Sequence, residues 1–208
     1  MHVYFVRHGE TDLNVRHVHQ SPSTPLNDNG FDQARSAGEF LRAVNADHLI
    51  SSTYERALQT ARIIGPATSL SPVRMDIFRE VERPSNLANT SLYGIRSLWY
   101  VGMSVLYRNK STWRYRDAEN FTDIYARVRT AFEYIESLTE EHKSVIVVSH
   151  SVFINLMIVY MCHNRTLTLS DLVKTLGNVN ELKNCAVTHV EYVGPAYGNT
   201  CVWQIAPV

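Results

Sequence analysis

The chain has 208 residues, with 20 basic and 20 acidic side chains and no formal net charge. That length suits one globular unit carrying an insertion, and the charge balance excludes the global basic field of a nucleic-acid or anionic-membrane binder, so any anion binding must be local. Three cysteines, Cys162, Cys185 and Cys201, are odd in number and lack CxxC pairing, which argues against a disulfide framework or zinc site and for reduced thiols in a cytoplasmic protein.

The first strand is expected at once, because Val3-Tyr4-Phe5-Val6 is aromatic and β-branched. It leaves no room for a secretory leader, and Arg7-His8-Gly9 stands directly behind it. Thr11 to Thr24 reads as a short helical turn and a loop. Asn27-Asp28-Asn29-Gly30 is a turn and cap signal, and Phe31 to Val44 places Phe31, Ala34, Ala37, Phe40, Leu41 and Val44 on one helical face. His48 to Ser52 reads as a second strand. Tyr54 to Gly65 follows as a helix stopped by Gly65-Pro66. Pro72 to Phe78 alternates Val73, Met75 and Ile77 as a third strand, running into Arg79-Glu80-Val81-Glu82-Arg83. From Ser85 to Ala118 aromatic and basic residues mix, and we expect a small cap inserted over about residues 82–120. Phe121 to Leu138 returns to helical spacing. Ser144 to Ser149 is a continuous β-branched run of the kind found in central parallel strands. A helix from about Val152 to Cys162 is too short to span a membrane. A short helix capped by Ser170 or Thr168 comes next, and Ala186–Val193 and Thr200–Ala206 read as a closing pair of strands. Strands alternating with helices indicate an α/β fold: a three-layer α/β/α sandwich on a mainly parallel sheet, in a single domain over residues 1–208.

Four polar groups each follow an expected strand: Arg7-His8, Arg56, Glu80 and His150. Parallel strands would bring them to one edge of the sheet. Two arginines, two histidines and a carboxylic acid there suit a phosphate group. Arginine offers planar paired donors and a charge that does not titrate away. A neutral imidazole can attack phosphorus and form a phosphohistidine. A second histidine can donate to phosphoryl oxygens, and a glutamic acid can protonate the leaving alkoxide and then activate water. With fixed cations neutralising charge, no metal and no cofactor is needed. Glu82, two residues beyond Glu80, would share its strand face and is the rival acid.

Arg7-His8-Gly9-Glu10-Thr11 with Asn14, then Ser51-Ser52-Thr53-Tyr54-Glu55-Arg56-Ala57-Leu58-Gln59-Thr60-Ala61, and later Val147-Val148-Ser149-His150, resemble the histidine phosphatase superfamily, the phosphoglycerate-mutase-like enzymes. Thr24-Pro25-Leu26 with Gly30 and Gln33-Ala34, and the stretch Asn184-Cys185-Ala186-Val187-Thr188, are also similar to the family pattern. The resemblance implies His8 as the phosphorylated nucleophile. It implies Arg7, Arg56 and His150 as the phosphate pocket, Asn14 as a further phosphate contact, and Glu80 as general acid and base. Two departures stand out. Ser151 replaces the usual Gly after the second histidine, and the segment after Glu80 lacks the glycine-rich continuation of the mutases. We therefore expect a phosphatase acting on a small phosphorylated metabolite. A phosphomutase and a non-catalytic phospho-ligand or phosphoprotein-binding module are the alternatives. Arg16 is either a phosphate contact or a surface charge. His17 and His19 lack a third metal ligand and read as loop surface. The stretch from Trp99 to Arg116 could stack single-stranded nucleic acid, but zero net charge argues against that. Its exposed aromatics offer a self-association surface, which would make a homodimer.

Overall fold

The computed structural model describes residues 1–107, 109–177, 182–194 and 202–207. In chain order the strands are β1 (His2–Arg7), β2 (His48–Ser51), β3 (Val73–Arg74), β4 (Ser144–Ser149), β5 (Val187–Tyr192) and β6 (Trp203–Ala206). The helices are α1 (Asp12–Val15), α2 (Asp28–Arg42), α3 (Glu55–Thr68), α4 (Ile95–Leu106), α5 (Phe121–Ser137), α6 (Ser151–Cys162) and α7 (Leu169–Gly177). The strands form one sheet in the order β3-β2-β4-β1-β5-β6. β1 to β4 run parallel, and β5 returns antiparallel to β1. Among the described residues no helix is long and apolar enough to cross a membrane.

The sheet's two faces bury different residues because successive strand side chains alternate. Val3, Phe5, Val145 and Val147 face α5 and α6 in one cluster. Val6, Ile146 and Val148 face α2 and α3 in the other. β4 is buried along its whole length, which is why its sequence shows no polar alternation. Because β4 inserts between β1 and β2, the helices that follow β1 and β4 lie on opposite faces. A crevice therefore opens beyond the carboxyl ends of those two strands, where His8 and His150 stand.

Three expected features differ in detail. Phe40 is 43% exposed, since it lies roughly 100° round α2 from the stripe of Gly30, Ala34, Ala37 and Leu41 that is buried. Gly65-Pro66 does not stop α3, which runs on to Thr68 and ends at a left-handed Ser69. Pro66 and Arg62 are both exposed there, so the helix loses one hydrogen bond only on its wet side. Gly65 is needed for a different reason: a Cβ on it would stand 2.6 Å from the Leu70 carbonyl oxygen. The third strand is two residues long, and Val73 is 42% exposed at the sheet edge. The chain then turns through a 3-10 segment, Asp76–Phe78, which drives Phe78 into the core against Phe153. Cys201, Arg108 and the Thr200 start of the last expected strand lie outside the described residues, as do residues 178–181 and 195–199.

Candidate active site

His8 sits where β1 ends, and its backbone N–H donates to the Ser149 carbonyl at the end of β4. Its imidazole is fully buried. Nδ1 lies 2.7 Å from the Gly9 carbonyl oxygen, which can only accept, so Nδ1 carries the hydrogen and Nε2 is left as a bare lone pair. Burial first, then the charges of Arg56 and Arg7, holds this imidazole well below the ordinary histidine value. It is therefore neutral and nucleophilic at physiological pH. The loop behind it is held by close backbone packing, since a Cβ on Gly9 would meet the Gly30 carbonyl oxygen at 2.5 Å. The Gly9 N–H donates to Thr60 Oγ1 at 3.0 Å, and that hydroxyl donates to the Arg56 carbonyl at 2.8 Å. Glu10 is structural: its carboxylate accepts from the side chains of Asn27 and Asn29 at the start of α2.

Arg56, in the first turn of α3, donates from Nε to His8 Nε2 at 3.2 Å and from Nη1 to the Ser21 carbonyl at 3.0 Å. Its guanidinium lies 5.1 Å over the Tyr54 ring. Burial lowers its pKa to about 10, so it stays charged. Arg7 donates to the Leu182 carbonyl, and its Nε is buried with no partner among the described residues. His150 lies directly behind His8, with ring centroids 5.2 Å apart. Ser52 Oγ accepts from the Tyr54 N–H and stands 2.8 Å from His150 Nε2. On that network the serine hydroxyl donates to Nε2, which puts the His150 proton on Nδ1, a second buried donor with no partner among the described residues.

Glu80 caps α6 from outside the helix. The Phe153 N–H donates to its Oε1 at 3.1 Å and the Val152 N–H to its Oε2 at 3.4 Å, where the positive end of the helix favours a carboxylate. Glu82 instead accepts from Arg79 Nε at 3.0 Å. The two residues thus part company although both border the same cavity. The backbone of residues 77–80 is gripped by Arg127 of α5, which donates to the carbonyls of Ile77, Arg79 and Glu80. The same guanidinium binds both carboxylate oxygens of Glu119, at 2.8 and 2.6 Å. Arg127 and Glu119 are 7% and 6% exposed at their side chains.

Arg7, His8, Asn14, Arg56, Glu80 and Ser151 stand in the wall of a cavity of about 370 Å³, whereas His150 is fully buried and off that wall. Asn14 also receives a bond from Asn184, which ties the β5 approach to the His8 carbonyl. Arg16 is exposed and off the wall. The outer wall comes from residues 84–92 and from the loop after α1. His17, Val18 and His19 pair with residues 89–92 through backbone hydrogen bonds and the Val18–Ser91 bridge. His19 is therefore not loop surface. It is 7% exposed, with Nδ1 accepting from Arg83 at 3.0 Å and Nε2 donating to Ser97 Oγ of α4 at 2.9 Å.

Burial and the facing Arg83 charge bring the His19 imidazole down to about 4. Between its unfolded value of 6.5 and that figure, the unfolded chain takes up a proton the folded one refuses. Stability is thus complete above about 6.5 and is lost as pH falls toward about 4. His8 and His150 act in the same direction. The thermal midpoint is expected to fall between about pH 7 and 5, and less steeply in His19→Gln; equal slopes in the two proteins would contradict this.

Sequence reasoning did not find Ser52, Thr60, Glu119, Arg127 or Asn184 as parts of the site. Arg127 carried a usable signal, because it falls on the same helical face as Ile124, Val128 and Ala131.

The histidine phosphatase superfamily (branch 1) sequence profile matches residues 3–198. Over 195 residues, covering 92% of this chain and 85% of the relative, the sequence is 27% identical to the probable phosphoglycerate mutase GpmB of Enterobacter sp. (strain 638). Over 79 residues, 38% of this chain and 41% of the relative, it is 42% identical to the uncharacterized phosphatase PhoE of Bacillus subtilis (strain 168). The fold matches that of mycobacterial glucosyl-3-phosphoglycerate phosphatase in complex with VO3, with a TM-score of 0.79, 22% identity and coverage of 100% of this chain and 98% of that one.

Proposed function

The chain belongs to the histidine phosphatase superfamily, and from that premise we propose that it hydrolyses a small phosphomonoester through a phosphohistidine on His8, without a metal. The observation that carries this reading is the bare Nε2 of a neutral, buried His8 facing the Arg56 guanidinium. In the proposed reaction Nε2 attacks phosphorus as the ester P–O bond breaks, and Glu80 gives its proton to the departing alkoxide. The Arg56 Nε–H, still on the guanidinium, switches its hydrogen bond from His8 Nε2 to a phosphoryl oxygen. The unpaired donors of Arg7 and His150 are suited to the other oxygens, and Asn14 to a further contact. Water then attacks phosphorus, Glu80 takes its proton, and phosphate leaves with His8 restored.

Glu80 is favoured over Glu82 for the proton-transfer role because Arg79 draws the Glu82 carboxylate into an ion pair. We expect Glu80→Gln to lower kcat about 10² to 10⁴-fold and Glu82→Gln by less than about tenfold, read in parallel steady-state assays. Similar losses in both would sink the assignment.

The phosphomutase reading is favoured by one finding, the similarity to a probable phosphoglycerate mutase. A panel of phosphomonoesters assayed with chelator present separates the readings. Hydrolysis is expected to release labelled phosphate to water and to be unaffected by chelator. Return of the label to a sugar acid would show a mutase, and a requirement for added divalent metal would overturn the mechanism. Residues 82–120 serve in this reading as a cap that chooses the leaving group within a single domain, and the setting is cytoplasmic. The homodimer belongs to the same proposal, supported by the exposed Ile95, Leu98, Trp99 and Leu106 of α4.

A further inference from the structure

At the other end of β1 from His8, three ligand-type side chains converge. In the antiparallel β1–β5 ladder His2 stands opposite Glu191 and Tyr4 opposite His189. Residues directly opposite, and those two further along, share one face. His2, His189 and Glu191 are therefore brought together by register. His2 Nδ1 lies 3.0 Å from His189 Nε2 and 3.8 Å from a Glu191 carboxylate oxygen. All three ligand atoms fall within 4.8 Å of one another.

The most buried of the three is already prepared. His189 Nδ1 stands 3.0 Å from the Pro207 carbonyl oxygen, which can only accept, so the hydrogen is on Nδ1 and Nε2 presents a lone pair. A backbone carbonyl taking the far N–H is the usual second partner of a metal-bound histidine, fixing tautomer and ring direction. The Tyr4 ring stacks on the same imidazole, with centroids 4.5 Å apart and planes 9° apart, and holds its plane. Two nitrogens on a tetrahedral zinc at about 2.0–2.1 Å would be about 3.3 Å apart, so the 3.0 Å pair needs to open by only a few tenths of an ångström.

We propose that His2 Nδ1, His189 Nε2 and the Glu191 carboxylate form a binding site for a divalent ion of the zinc class, with water completing the coordination. Two imidazoles and one carboxylate suit zinc, whereas calcium and magnesium demand all-oxygen shells. In the metal-free protein His2 Nδ1–H donates to His189. On binding, that hydrogen moves to the solvent-side Nε2 of His2, and both lone pairs meet the metal. The side chain of His2 is 48% exposed, so an ion can enter from solvent. The site lies six residues along an extended strand from His8, on the order of 20 Å away. Its ion therefore braces the β1–β5 pairing and takes no part in phosphoryl transfer.

The test is zinc titration by calorimetry, with cobalt absorption as a readout of tetrahedral geometry, on the wild type, His2→Ala, His189→Ala and Glu191→Gln. His2 and Glu191 are partly exposed, so their variants retain the fold even if His189→Ala does not. The wild type is expected to bind one more equivalent of zinc than His2→Ala, or to bind it at least about tenfold more tightly. Glu191→Gln should be weakened in the same direction, and zinc should raise the thermal midpoint of the wild type more than that of either variant. Other histidines, such as the stacked His48–His142 pair, contribute equally to all four proteins and cancel in the difference. Wild-type stoichiometry and affinity in His2→Ala, or no zinc binding by the wild type, overturns the proposal. Phosphatase assays of His2→Ala and Glu191→Gln are expected to be unchanged.

Discussion

Replacing His8 with alanine is expected to lower kcat/KM by a factor on the order of 10⁴ or more. The imidazole presents a bare Nε2 lone pair at the cavity wall, held by Nδ1 on the Gly9 carbonyl and by Arg56 Nε on Nε2. Water can still reach phosphorus in the variant, but the covalent step is gone, and the arginines can then only bind. Arg56 keeps its bond to the Ser21 carbonyl and its place over Tyr54, so the fold should survive. A near-native thermal midpoint separates loss of chemistry from loss of structure. Full hydrolysis by His8→Ala would contradict His8 as the nucleophile and point to a different one.

The second large effect is expected behind the cavity wall, where Arg127 holds the loop that carries Glu80. Arg127→Ala should destabilise the chain by about 3–5 kcal/mol, because it strips a buried Glu119 of its bidentate partner. For a chain of this size that is a fall in thermal midpoint on the order of 10 °C. Arg79 also reaches Glu119, at 3.2 Å, which pulls the cost toward the lower figure. Removing both charges, as Arg127→Met with Glu119→Leu, should recover much of the loss, since an apolar pair of similar volume leaves no uncompensated ion. Catalysis should not recover with it. The carbonyls of Ile77, Arg79 and Glu80 would have lost the donor that holds their loop, and Glu80 would no longer be held at the start of α6. A single variant within about 1 kcal/mol of wild type, or a double variant with full kcat, would contradict this account.

What could be read from the residues alone depended on how local the cause was. β1 and β4 announce themselves because burial on both faces requires unbroken apolar runs, and the polar residues that end those runs mark the crevice. The places of His8 and His150 were legible for that reason, whereas Arg56, in the first turn of α3, was singled out by the Ser51 to Ala61 motif. The path to Glu80 was only half legible. Alternation at Val73, Met75 and Ile77 suggested a long strand, but the burial of Phe78 and the carbonyl grip of Arg127 turn the chain after two residues. That turn is what sends Glu80 to α6 and leaves Glu82 with Arg79. His19 was misread because its burial depends on residues 83–97, some seventy positions later, closing over it. No periodicity within the His17–His19 stretch encodes that contact.

The central claim is that His8 itself carries the phosphoryl group. Rapid mixing with a labelled substrate, acid-free quenching and peptide mapping of the trapped protein tests it directly. The account predicts label that is stable in alkali, lost in acid, located on the peptide containing His8, and absent from the His8→Ala protein. Label on another residue, or turnover by the wild type with none trapped while Glu80→Gln also accumulates none, would contradict it.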